Sequence, residues 1–204
     1  MFDPYERNIN YLRVSITDRC NLRCTYCMPK EGLSRIGHDD ILRYEEIHRI
    51  IRIAAKTGIT KVRITGGEPL VRRGLVQFAA SLHTISELTD ISLTTNGILL
   101  EDFAESLFRA GIRRINISLD SLDAEKYARI TRGGDIRAVL RGIMKVREIG
   151  FSPIKINIVA IKGFNDDEIL DFARLTLEHP YQIRFIELMP LGHAGIENDG
   201  LYLS

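Results

Sequence analysis

Outside one short stretch the 204-residue sequence has no cysteine, for Cys20, Cys24 and Cys27 all fall within C-N-L-R-C-T-Y-C. Three thiols so close together cannot all pair internally, so a disulfide framework is excluded and the cysteines read as ligands. An excess of charge is also lacking, with 28 Lys and Arg against 27 Asp and Glu. That balance argues against a nucleic-acid-coating protein and makes any anion site a local one. No run of about 18 apolar residues occurs, and the first ten residues, M-F-D-P-Y-E-R-N-I-N, carry no apolar signal region. The expectation is a soluble cytoplasmic protein with neither export signal nor membrane span. The length suits one domain with a real core rather than two.

What is present is a repeated unit. Apolar residues at i, i+3, i+4 and i+7 recur at Ile47/Ile50/Ile51/Ala54, Leu75/Phe78/Ala79/Leu82, Ile136/Val139/Leu140/Ile143 and Ile169/Phe172/Ala173/Thr176. Each predicts one buried helical face, the last after an Asn165-Asp166 start suited to capping. Between them lie β-rich runs at 12–17, 61–65, 91–95, 114–119, 154–161 and 182–188. Gly58, Gly111 and Gly150 each stop a helix directly before a strand. Alternating strands and helices imply an α/β fold with a parallel sheet, either open and doubly wound or TIM-like. A partial TIM-like barrel of about six βα units fits the length, since a full barrel takes about 250 residues.

The strands alternate in an informative way. One face is apolar: Val14/Ile16, Val62/Ile64, Ile91/Leu93, Ile115/Ile117 and Ile154/Ile156/Ile158. The other carries Arg13/Ser15/Thr17, Arg63/Thr65, Ser92/Thr94, Asn116/Ser118/Asp120 and Lys155/Asn157. In a barrel the second face lines an enclosed space, where an unpaired cation is costly. Arg13, Arg63 and Lys155 therefore predict an anionic occupant such as a phosphorylated substrate; the competing reading pairs them with internal carboxylates or leaves that face in solvent.

The spacing Cys-x3-Cys-x2-Cys directly follows the first strand, where parallel α/β folds place their ligand sites. Three thiolates can hold three irons of a [4Fe-4S] cluster and leave the fourth open to an exchangeable ligand. Zinc held by the cysteines with His38 or His48 competes, as does a thioredoxin-like use of Cys24-Thr25-Tyr26-Cys27. I-T-G-G-E-P, residues 64–69, ends the second strand with a glycine pair that allows close backbone approach to a ligand.

Together, T-D-R-C-N-L-R-C-T-Y-C-M-P and K-V-R-I-T-G-G-E-P-L resemble the radical S-adenosylmethionine superfamily. Further segments, L-T-T-N-G, R-R-I-N-I-S-L-D, I-K-I-N, K-G-F-N-D-D and I-R-F-I-E-L-M-P, resemble its GTP 3′,8-cyclase family, lyases of molybdenum-cofactor biosynthesis. The resemblance implies a [4Fe-4S] cluster on Cys20, Cys24 and Cys27, with S-adenosylmethionine chelating the open iron. A 5′-deoxyadenosyl radical would then take hydrogen from C3′ of GTP, and the C3′ radical would add to C8 of the base. It places Tyr26, Gly67, Ser118 and Met189 at S-adenosylmethionine and Arg13, Arg63, Thr94 and Lys155 at GTP, and implies an electron donor; a homodimer is compatible with it.

The family's C-terminal region, with a second three-cysteine cluster and a terminal Gly-Gly, has no counterpart here. The expectation is a radical core domain over residues 1–204 with one cluster. Alternatives are another radical S-adenosylmethionine enzyme, acting on a peptide or tetrapyrrole, and a non-catalytic iron–sulfur or zinc module.

Overall fold

The computed structural model describes residues 2–32, 37, 40–189 and 201. Its strands, β1 (Tyr11–Ser15), β2 (Lys61–Thr65), β3 (Asp90–Thr95), β4 (Arg114–Ser118), β5 (Ile154–Ala160) and β6 (Tyr181–Glu187), form one parallel sheet in chain order. Parallel neighbours need crossovers. These are α1 (Tyr44–Lys56), α2 (Leu75–Leu82), α3 (Leu100–Arg109), the pair α4 (Ala124–Thr131) and α5 (Ile136–Ile149), and α6 (Ile169–Glu178). The result is a partial TIM-like barrel, open between β1 and β6 among the described residues. Five connections carry helices, and whatever follows β6 lies largely outside the described residues.

The core sits between the helices and the apolar strand face. Val62, Ile64, Leu93, Ile115, Ile117 and Ile156 are buried there against Ile51, Leu75, Leu82, Leu107, Val139 and Val146. Each such side chain contributes about 1.5–3 kcal/mol. Gly58, Gly111 and Gly150 have φ of 106°, 88° and 100°, the left-handed geometry that ends a helix before a strand.

Four helical expectations need correction. In α1 the buried row is Ile47, Ile51 and Ala55, while Ile50 is exposed. Leu140 is likewise exposed on α5, and α6 buries Phe172 but not Ala173 or Thr176. An apolar pattern fixes a face only to within one flanking position, and Ile50 and Leu140 lie at its margin. The fourth correction concerns Asn165, which makes no side-chain cap bond. Its buried amide donates to Asp120 O at 2.7 Å and Val159 O at 2.9 Å and accepts from Ile161 N at 2.8 Å. An amide with backbone partners on both sides satisfies those and not a helix end.

Glu168 does the joining before α6. Its buried carboxylate accepts from Ser121 Oγ at 2.9 Å and Leu122 N at 2.6 Å, tying the loop after β4 to the start of α6. The carboxyl-end loops are thus fastened to one another as well as to the sheet.

Candidate active site

The cysteine loop leaves β1 and docks on the C-terminal turn of α4. Thr25 N donates to Ile130 O at 2.8 Å and Arg23 N to Thr131 O at 3.2 Å, filling carbonyls that the helix leaves unpaired. Arg132, left-handed at φ 56°, reaches back to Met28 O at 2.8 Å and Arg23 O at 3.1 Å. Within the loop, Arg23 donates to Cys20 O at 2.6 Å and Cys27 N to Cys24 O at 3.0 Å. The loop is therefore held on both flanks.

Its thiols are not free nucleophiles. Burial pushes Cys24 up to about 12, with Asp120, Cys27 and Cys20 adding to the rise. Burial also raises Cys20 and Cys27. A redox-active thiol needs the opposite shift, so the thioredoxin-like reading has no support here. A metal reverses the balance, because a coordinating thiol is deprotonated outright. Among the described residues no three His, Cys, Asp or Glu side chains are grouped to hold a single metal ion. His48 is engaged elsewhere, with Nε2 3.3 Å from both Ser81 O and Thr84 Oγ1; His38 lies outside the described residues. A cubane asks for something different, each thiolate on its own iron. Three thiols on one anchored loop, electrostatically coupled and with Cys27 exposed, fit that donor set.

The glycine pair has a use that the sequence did not suggest. A Cβ on Gly67 would lie 2.3 Å from Arg19 O, and one on Gly66, at φ 146°, 2.5 Å from Thr17 O. Gly67 N donates to Thr17 O and Glu68 N to Arg19 O, both at 2.7 Å. The close approach is to the chain's own cysteine loop; Gly67 is also exposed. Glu68, fully buried, accepts from Thr95 Oγ1 at 2.7 Å, Asn96 N at 2.7 Å and Leu70 N at 3.0 Å. Burial raises its carboxyl despite these donors. Asn96 in turn donates to Asn21 Oδ1 at 2.8 Å and lies 3.8 Å from Cys20 Sγ. Read as a turn, G-G-E-P conceals this brace; its signal is a carboxylate beside glycines at a strand end.

Tyr26 donates to Asp120 Oδ2 at 2.8 Å, and Asp120 Oδ1 accepts from Val159 N at 2.8 Å. Ser118 closes β4, half-buried, opposite Asn157. Met189 follows β6 and is exposed. Beside Tyr26 lies a cavity of about 320 Å³, walled by Ile130, Ile161, Phe164 and Leu188, apolar enough to take a flat ring.

The polar strand face forms cross-sheet rows. Arg13, Arg63, Ser92 and Arg114 stand in one register; Thr94, Asn116, Lys155 and Gln182 in another; Ser118, Asn157 and Arg184 in a third. Ser92, Asn116 and Lys155 are buried, while Arg13, Ser15 and Arg184 are exposed. The expected enclosure therefore holds at the centre and fails at the edges, because β1 and β6 do not meet. Arg114 pairs with Asp90. No carboxylate of the described residues lies within ion-pair distance of Arg63, Lys155 or Arg184. Burial lowers Lys155, and Arg184, Arg114 and Arg63 lower it further. Burial likewise lowers Arg63, which sits 5.1 Å from the Tyr11 ring. Tyr11 Oη, Arg63 Nε, Thr94 Oγ1, Arg114 Nε and Asn116 Oδ1 are buried on this face without a hydrogen-bond partner. Buried polar atoms are rarely left so. Arg114 and Arg184 enlarge the cation set; extending the alternation into Q-I-R-F-I-E-L finds Arg184.

The radical SAM superfamily model matches residues 14–176. The chain belongs to the radical SAM superfamily. Membership implies a [4Fe-4S] cluster and S-adenosylmethionine. Among named proteins it is 54% identical over 194 residues to the GTP 3′,8-cyclase of Alkaliphilus metalliredigens, covering 95% of this chain and 61% of that protein. It is 57% identical over 194 residues to that of Moorella thermoacetica, covering 95% and 60%. The chain thus spans about 61% of the length of such curated relatives. Among solved structures, Streptococcus suis SuiB bound to its precursor peptide SuiA superposes with a TM-score of 0.71 at 19% identity, covering 86% of this chain and 39% of SuiB. That likeness shows the shared radical SAM fold.

Proposed function

We propose that this chain supplies the radical core of a GTP 3′,8-cyclase, with residues 1–204 forming that domain and holding one cluster. The observation that carries the reading is the cation set of the central sheet, Arg63, Lys155 and Arg184, beside buried polar atoms without partners on one face. A polyphosphate answers both demands. It supplies anionic charge to guanidinium and ammonium groups that repel one another, and acceptors to the donors Tyr11 Oη, Arg63 Nε and Thr94 Oγ1. The named relatives, at 54% and 57% identity, indicate GTP.

In this reading Cys20, Cys24 and Cys27 hold the cluster, and Tyr26, Gly67, Ser118 and Met189 contact S-adenosylmethionine. Arg13, Arg63, Thr94 and Lys155 hold GTP, joined by Arg184. When bound, the cluster and S-adenosylmethionine supply a one-electron cleavage that yields a radical able to take hydrogen from C3′ of GTP. The protein's own part is positioning. Cations along the polar sheet face fix the phosphates, and the strand ends aim the ribose at the cysteine loop. The Tyr26–Asp120 and Glu68–Asn96 bonds keep that loop in place. The electron comes from a separate donor.

Anaerobic reconstitution followed by measurement of 5′-deoxyadenosine with and without GTP tests this. Cleavage that requires or is strongly stimulated by GTP is expected. Cleavage indifferent to GTP would point to another substrate, and zinc uptake without cleavage would remove the enzymatic reading.

A further inference from the structure

The cysteine loop stands at the surface with cations on both flanks. Cys27 is exposed, as are Asn21 and Thr25. On one flank Arg132 bonds Met28 O at 2.8 Å. Arg129, on the same helix end, sits 4.8 Å over the Phe164 ring and shares with Lys162 and Thr25 the wall of the cavity beside Tyr26. On the other flank Arg19 and Arg73 wall a cleft of about 610 Å³, and Lys30 follows the loop shortly after Cys27. All six cations are exposed. Among the described residues no carboxylate lies within ion-pair distance of Lys30, Arg73, Arg129, Arg132 or Lys162. The exposed carboxylates on the same elements are Glu31, Glu45 and Glu125, while Asp135 is taken by Arg137 at 3.0 Å. A chain with 28 basic and 27 acidic side chains therefore carries a local positive excess around this loop.

The chain's cysteines are all spent on the loop, so no second cysteine-held centre stands ready to pass an electron inward. Electron tunnelling falls off steeply with distance, and a donor must seat against the loop itself. We propose that the cationic rim around the loop is the docking surface of a small acidic ferredoxin. The inference rests on the cluster reading above. One electron leaves the reduced ferredoxin, which is thereby oxidised, and reduces the [4Fe-4S] centre by one; no bond forms or breaks. A carrier of this kind yields one electron at a time at low potential, and weak redox encounters need under about 1,200 Å² of interface in all. Opposite charges steer and orient such an encounter, which sets its rate more than its affinity.

The test uses the anaerobically reconstituted full chain and a reduced plant-type ferredoxin in stopped flow. Lys30→Glu/Arg73→Glu should slow reduction of the cluster about tenfold at low salt and flatten its dependence on salt. Iron content should be unchanged, as should reduction by photoreduced 5-deazariboflavin, which is neutral. Arg52→Glu/Lys56→Glu, the same charge change on exposed positions of α1, should stay within about twofold of wild type. Equal slowing in both double variants, or none in the first, would overturn the proposal. If a variant loads less iron, carbodiimide cross-linking of the wild type decides, since it joins the ferredoxin's carboxylates to lysine. Links at Lys30 and Lys162 are expected; links confined to lysines elsewhere, such as Lys56 and Lys145, overturn it. A wild type that takes up no cluster overturns the proposed function and this inference together. A cluster that ferredoxin reduces at this rim without GTP-stimulated cleavage supports the inference and overturns the GTP reading alone.

Discussion

The Tyr26 hydroxyl donates to the Asp120 carboxylate at 2.8 Å across 94 positions of sequence, so the cysteine loop is fastened to the end of β4 by a side chain that itself belongs to the loop. Tyr26→Phe removes the donor and leaves a buried carboxylate oxygen unsatisfied. The apo chain is expected to lose about 1–3 kcal/mol in urea unfolding and to take up less iron. Wild-type stability in the variant would show that the bond contributes nothing.

Asp120 also gives a pH signature. Burial pushes its carboxyl from 3.8 up to about 6, against the opposing effect of Val159 N and Tyr26 Oη. A carboxyl raised in the folded state binds more protons folded than unfolded, so its contribution is fully present below the unfolded value and is lost as pH rises through about 6. The stability of the wild-type apo chain minus that of Asp120→Asn should therefore fall as pH rises from about 4 to about 6. Chemical denaturation at several pH values measures it, and a flat difference would refute the shift.

Lys155→Met and Arg184→Met each remove one cation from the same sheet face. A charge-assisted hydrogen bond is worth about 1.5–3 kcal/mol, so GTP affinity should fall roughly 10- to 100-fold by calorimetry. Iron content should stay at the wild-type level. Loss of iron in step with affinity would make these residues structural.

Like charges held together without an anion destabilise the fold, and an anion relieves them. Tripolyphosphate at about 100 times its Kd should stabilise the apo chain by about 2.7 kcal/mol, raising Tm by roughly 5–10 °C. Lys155→Met should show a much smaller rise in the same melting experiment.

Gly67→Ala sets a methyl group 2.3 Å from Arg19 O, where backbone opposes backbone and neither side yields easily. Loss of more than about 3 kcal/mol is expected, with failed iron uptake on reconstitution. Full iron loading would show that the two loops can separate.

Much of the sheet is legible because parallel strands covered by helices must be apolar on one face, and Val62/Ile64 and Ile115/Ile117 satisfy that in the sequence as in the fold. Arg63 and Lys155 were legible for the same reason, as polar exceptions at alternating positions. The braces were not. Glu68 reaches Asn96, and Asn165 reaches Asp120 and Val159, through contacts set by how loops from separate units meet. No local pattern records them. Asn165 looked like a helix cap because an amide near a helix start usually is one; its tertiary partners outcompeted that role.

Strand order equal to chain order has a consequence for biosynthesis. Each strand leaving the ribosome finds its partner already made, so the sheet can grow vectorially from β1. The cysteine loop emerges early, whereas Arg132, which clamps it, is 109 positions later than Arg23. Until that clamp arrives the thiols stand open on a nascent chain, and iron loading and the last steps of folding share one interval of time.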